Sequence, residues 1–232
     1  MLKLEGADIR KGTFRLEADL EIAGGARVAV IGPSGAGKST LLEAVAGFQP
    51  LAAGRILWQG RDLAPLGPGK RPVAMLFQDG NLFPHLSVRQ NVGLGVDANR
   101  RLTATERAQV DASIARVGLQ GLEDRKPAEL SGGQQSRAAL ARVLVQGREL
   151  LLLDEPFAAL GPALKAEMLD LVRDITTESD LTMLMVSHDP QDARRIADQV
   201  VLVAEGTARP PEPTVQLLDN PPAALRSYLG DN

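Results

Sequence analysis

The chain has 232 residues, 44% of them apolar, and a formal net charge of −3, which supplies enough apolar side chains for a sizeable core without covalent staples. It contains no cysteine, which excludes disulfides, thiolate-held zinc and cysteine nucleophiles. The acidic balance, with no long basic run, speaks against nucleic acid as a partner, and no apolar stretch reaches the roughly 18 residues that a bilayer crossing needs.

Met1-Leu-Lys-Leu-Glu-Gly6 opens directly as strand pattern, without the marks of a signal peptide. If the protein works at a membrane, another subunit is expected to take it there. Phe14, Leu16, Ala18, Leu20 and Ile22 alternate with Arg15, Glu17, Asp19 and Glu21, the period of a half-buried strand. Gly24-Gly25 turns the chain into the apolar run Arg27–Ile31. A glycine-rich loop follows, then a helix from about Lys38 to Ala46, closed by Gly47. Arg55–Gln59 and Val73–Phe77 read as further strands. Residues from about 80 to 149 lose the strand pattern. Thr103 and Glu106 form a capping box, Val110, Ile114 and Val117 follow at helical spacing, and Ala138–Val145 is helical. From Leu150 strand and helix alternate again. Leu150–Leu153 is a strand, Pro162 starts a helix with Leu164, Met168, Leu171 and Ile175 on its inner face, Leu181–Val186 is a strand, Asp189-Pro190 opens a helix and Val200–Val203 is a strand. The proline-rich tail reads as surface packing. Strands alternating with helices predict an α/β fold with a mainly parallel sheet covered on both faces. The expected organisation is a single domain over 1–232. Its core comprises 1–79 and 150–206, with an N-terminal antiparallel β portion. A helical lobe, 80–149, is inserted, and 207–232 forms a C-terminal tail.

Gly32-Pro33-Ser34-Gly35-Ala36-Gly37-Lys38-Ser39 fits the P-loop pattern, with a strand before it and a helix after it. Its glycines let backbone N–H groups wrap phosphates, and the helix N-terminus adds partial positive charge. Lys38 has the reach for β- and γ-phosphates, Ser39 is a ligand for Mg²⁺, and Thr40 can bond an α-phosphate oxygen. Asp154, ending an apolar strand, is placed to hold Mg²⁺ through water, and Glu155 to orient or deprotonate an attacking water. Ser131-Gly132-Gly133-Gln134 reads as a plain helix cap or as a second anion-binding loop. Having no second nucleotide motif to serve in its own chain, that loop points to a nucleotide held by another molecule.

With Leu130-Ser-Gly-Gly-Gln134 between the P-loop and Leu150-Leu-Leu-Leu-Asp-Glu155, the chain resembles, from end to end, the ATP-binding subunits of ABC (ATP-binding cassette) transporters. The resemblance implies a P-loop ATPase that uses ATP and Mg²⁺. It matches Gln78 to a glutamine that touches Mg²⁺ and the catalytic water and senses the permease. It matches His188 to a histidine contacting the γ-phosphate, and Ser131 and Gly133 to residues that close over the γ-phosphate of a second copy in a head-to-tail dimer. Gly161 stands where the family usually has an aspartate linking the two sites. Gln135 stands where arginine is common, while Arg137 matches. No adenine-stacking aromatic is assigned by the resemblance: Phe14 is the only aromatic before Phe48 and a candidate for that role, and it fits the strand alternation equally well.

The segment Asn81–Gly95 places apolar and aromatic residues after Gln78. An integral membrane permease is expected to dock near Gln78–Val92, although Phe83 and Leu86 could instead pack inside the helical lobe. Gly32–Leu42, Ala46-Gly-Phe48, Arg71–Gln78, the segment Asn81–Gly95 and Met183–His188 are similar to the ATPases of bacterial thiamine importers. That likeness implies work at the cytoplasmic face of the inner membrane, with a periplasmic binding protein acting indirectly. Importers of iron, molybdate or a polyamine remain the alternatives, and a non-transport ATPase fits less well.

Overall fold

The structure, a computed structural model, describes residues 1–78, 80–99 and 101–229. Asp79, within the expected docking segment, and residues 230–232 of the expected tail lie outside the described residues. The polypeptide runs β1 (Leu2–Lys11), β2 (Phe14–Ile22), β3 (Arg27–Ile31), α1 (Lys38–Ala46), β4 (Leu51–Trp58), β5 (Arg61–Asp62) and β6 (Val73–Leu76). Next come α2 (Val88–Gly93), α3 (Ala104–Arg116) and α4 (Gly132–Leu144). Then follow β7 (Leu150–Asp154), α5 (Pro162–Glu178), β8 (Thr182–Val186), α6 (Pro190–Ile196) and β9 (Gln199–Ala204). The described chain closes with β10 (Thr207–Ala208), β11 (Glu212–Pro213), α7 (Thr214–Asp219) and α8 (Ala223–Leu229).

The parallel part of the sheet runs β6-β7-β8-β3-β9. Beyond β9 the short β10 turns the order into the antiparallel set β2-β1-β4-β5. Alternation along each parallel strand sorts its side chains between two cores. Leu150, Leu152, Leu184, Val186, Val28, Val30, Val201 and Val203 face α1 and the antiparallel strands. Leu151, Leu153, Met183, Met185, Ala29, Ile31, Val200 and Leu202 face the remaining helices. Strands covered on both faces need apolar residues at every position, which is why Leu150–Leu153 is an unbroken leucine run. Leu41, Leu42 and Val45 of α1 are buried between the two parts of the sheet, and each such side chain contributes about 1.5–3 kcal/mol.

The alternation in β2 and the boundaries of β3 and α1 fall where the sequence predicts them, with Gly47 closing α1 in the left-handed region. Within the expected helical lobe the segment after β6 forms a helix, α2, capped reciprocally by Ser87 and Gln90. One expectation changes. The tail is more than surface packing: Leu217, Leu218 and Leu225 are buried in the helix-side core. Its prolines bound short helices, and the leucines between them anchor the chain.

Candidate functional site

Because β6, β7, β8 and β3 are parallel and in register, their C-terminal ends line up along one sheet edge. Val30 and Asp154 both lie opposite Val186, and Leu76 lies opposite Leu153. The residues leaving those strands are therefore brought into a row: the P-loop after β3, Ser187-His188 after β8, Asp154-Glu155 at the end of β7 and Gln78 after β6. Ligands in open α/β sheets bind at this edge.

The P-loop forms one wall of an open groove of about 290 Å³ lined by Lys11, Phe14, Ser34, Gly35, Gly37, Lys38, Ser39, Thr40 and Glu155. Gly37 caps α1 at φ 103°, and a Cβ there would lie 2.5 Å from Phe14 Cζ. The Phe14 ring thus rests against the loop backbone. Lys38 is buried, and its Nζ donates to the carbonyls of Gly32 at 2.8 Å and Pro33 at 2.9 Å. Burial lowers its pKa, against the opposing charges of Glu155 and Asp154.

Ser39 Oγ donates to Asp154 Oδ1 at 2.9 Å. Burial raises the Asp154 pKa, against the Ser39 hydrogen bond, and the neighbouring Glu155 raises it further. A hydroxyl and a carboxylate form an oxygen-only donor pair of the kind that suits Mg²⁺. Among the described residues there is no cluster of three His, Cys, Asp or Glu side chains that could hold a metal.

Glu155 leaves β7 at φ 45°, a conformation uncommon outside glycine, and its N–H donates to the Val186 carbonyl at 3.2 Å. This turn brings the carboxylate to the groove and also to His188, whose Nδ1 lies 3.4 Å from Glu155 Oε2. Gln78 is exposed beyond β6 and does not line the groove.

Ser131 to Gln134 lie elsewhere, at the start of α4. The Ser131 side chain accepts from the Gln134 N–H at 3.3 Å, and Gln134 Oε1 accepts from the Ser131 N–H at 2.9 Å. The segment is thus a capping box that leaves Ser131 and Gly132 exposed. None of its residues lines the groove beside its own P-loop. Gly133 has a reason for being glycine within its own chain, since a Cβ there would lie 2.6 Å from Leu164 Cδ2.

Comparison with known proteins joins these parts. Residues 16–158 match the family model described as ABC transporter. Over 230 residues the chain is 73% identical to the thiamine import ATP-binding protein ThiQ of Ruegeria sp. (strain TM1040), covering 99% of this chain and 100% of that protein. The chain belongs to the ABC transporter family. It is also 61% identical to the thiamine import ATP-binding protein ThiQ of Cereibacter sphaeroides, again over 99% of this chain. Among solved structures it is similar to the ATP-binding cassette MJ0796 in a dimeric post-hydrolysis state bound to ADP and Pi. The TM-score is 0.78 at 26% identity, over 92% of this chain and 99% of that one.

Several features of this ABC transporter chain escape sequence reasoning. Phe48, Phe77 and Phe83 are exposed by 55%, 37% and 47%, whereas Leu86 is buried. Phe48 and Phe77 meet with ring centroids 5.7 Å apart. Asn91 is fully buried and uses its amide on the loop backbone, accepting from the Phe83 N–H and donating to the Phe83, Leu86 and Ser87 carbonyls. The loop is thereby pinned with Phe83 outward. Arg142, in α4, donates to the carbonyls of Gly80 and Asn81 at 2.7 Å each, tying the segment after Gln78 to the helix that Ser131 caps. Arg142 and Asn91 give no local sequence signal, because their partners are backbone atoms.

Proposed function

We propose that this chain is the ATP-hydrolysing subunit of an importer for thiamine, and that two copies close head to tail on two ATP molecules. The end-to-end likeness at 73% identity to a thiamine import ATP-binding protein carries the substrate reading. Each site would join one copy's P-loop, Asp154, Glu155 and His188 to the other's Ser131–Gln134. Exposure of Ser131 and Gly132 away from their own groove supports that pairing.

Catalysis in this reading is positioning and charge neutralisation. P-loop N–H groups and Lys38 would hold the phosphates, Phe14 would stack on the adenine, and Ser39 and Asp154, joined by Gln78 from outside the groove, would hold Mg²⁺, which would supply charge neutralisation on the phosphates. Glu155 accepts a proton from the attacking water, and His188 fixes the Glu155 carboxylate and faces the γ-phosphate. Among the described residues no helix is long and apolar enough to cross a membrane. The exposed Phe48–Phe77 pair, next to Gln78 in the chain, and the exposed Phe83 after it offer apolar rings that suit docking of the permease at the cytoplasmic face. Residues 80–149 then act as the lobe through which docking is felt, and a periplasmic binding protein delivers the solute.

The test is to purify the subunit with its permease and binding protein and measure ATP turnover against solutes. Thiamine is expected to stimulate it where iron, molybdate and polyamines do not. Stimulation by one of those solutes instead rejects the thiamine assignment.

A further inference from the structure

A buried polar network lies behind His188. Ser187, the residue before it, is buried and donates its hydroxyl to Asp192 Oδ2 at 2.5 Å. The Ser187 Oγ in turn accepts the N–H of Asp189, the residue after His188, at 3.0 Å. Asp192 is also buried, and its other oxygen lies 2.8 Å from Lys165 Nζ. Lys165 Nζ also donates to Asp189 Oδ2 at 3.0 Å, while Asp189 Oδ1 accepts the Gln191 N–H at 2.9 Å. One ammonium therefore bridges two carboxylates that hold both flanks of His188.

Lys165 stands on the first turn of α5, where its N–H donates to the Gly161 carbonyl at 2.9 Å. That turn closes the loop leaving Glu155. The ammonium thus connects the chain on the Glu155 side to the chain on the His188 side. Without it, Asp189 and Asp192 would face each other as neighbouring carboxylates, one of them buried, which is costly. The turn carrying His188 is the part of this network with freedom to relax.

We propose that Lys165 is a positioning residue for turnover: by bridging Asp189 and Asp192 it fixes the Ser187-His188-Asp189 turn, and so the imidazole, against Glu155. The inference deepens the proposed site reading and rests on its assignment of His188. It needs neither permease nor transported solute to be tested.

Lys165→Met, Lys165→Arg and His188→Ala, with the Lys165→Met/His188→Ala double variant, are compared in Mg-ATP hydrolysis. Misplacing a reacting group by about 1 Å can cost on the order of a hundred-fold. Lys165→Met is therefore expected to lower kcat by about ten-fold or more, with KM for ATP changed by less than about two-fold. Lys165→Arg, which keeps a cation between the carboxylates, restores most of kcat. In the His188→Ala background Lys165→Met costs less than about two-fold further, because the group it positions is gone. An equal fractional loss in both backgrounds, or a loss confined to KM, overturns the proposal. Should Lys165→Met fail to fold, Lys165→Met/Asp192→Asn, which removes one carboxylate with the ammonium, is read the same way. A fully active His188→Ala contradicts the site reading and this proposal together. An active Lys165→Met beside an inactive His188→Ala contradicts this proposal alone.

Discussion

Gly133→Ala separates two reasons for a glycine in the signature loop. A Cβ at this position would lie 2.6 Å from Leu164 Cδ2 and 2.8 Å from its Cδ1. Ordinary carbon contacts are about 3.5–4.0 Å, so Leu164 must retreat by about 1 Å. Such overpacking costs about 1–3 kcal/mol, and exchanging glycine for alanine within a helix returns up to about 1 kcal/mol. Gly133→Ala is thus expected to lose between about 0 and 3 kcal/mol. Leu164→Ala opens the space, so the double variant should be more stable than the two single losses added together, by about 1–2 kcal/mol. Urea unfolding of the four proteins measures this cycle, and simple additivity refutes the packing argument. Turnover of the same four proteins tests the second reason. If the bare backbone at 133 also meets the partner's nucleotide, hydrolysis stays depressed in the double variant after stability has returned. Recovery of both means the glycine serves only its own fold.

Two further outcomes follow from the site. Burial holds the Asp154 pKa above its usual value, against the Ser39 hydrogen bond. A folded-state value above the unfolded one gives stability that is present below the unfolded pKa and lost as pH rises through the folded pKa. Asp154→Asn should therefore gain on the parent in nucleotide-free thermal stability from the acid range to neutrality, while losing Mg-dependent turnover; an advantage that shrinks as pH rises contradicts the burial argument. Gly161 caps α5 without a side-chain bond, in extended backbone with open space around its Cα. Gly161→Asp should raise stability by about 0.3 kcal/mol and steepen the dependence of turnover on ATP concentration; a lower melting temperature or an unchanged dependence counts against that view of the position.

The parallel core was legible because its signals are local. Strict alternation fixes β2, Gly47 ends α1, and the leucine run at 150–153 declares a strand covered on both faces. The P-loop and Asp154-Glu155 share a sheet edge because those strands are parallel, which the strand–helix alternation already implies. Other features depend on the assembled fold. Phe83 and Leu86 sit three residues apart in one loop, yet only Leu86 is buried, and that choice is made by Asn91. Lys165 stands on α5, while Asp189 caps α6 and Asp192 lies in its first turn, so no spacing announces that one cation joins the two helices. The tail's prolines are a local signal for turns at the surface, whereas the burial of Leu217, Leu218 and Leu225 depends on the core they reach.

ATP-driven pairing of two copies is tested most directly by the mass of the Glu155→Gln variant. With Glu155 unable to accept a proton, ATP and Mg²⁺ should hold the variant as a dimer carrying two uncleaved nucleotides, measured by light scattering during size-exclusion chromatography and by nucleotide analysis of the peak. ADP should leave it monomeric. A variant that binds ATP yet stays monomeric at saturation contradicts the paired site, and one that hydrolyses ATP at the parent rate contradicts the role given to Glu155.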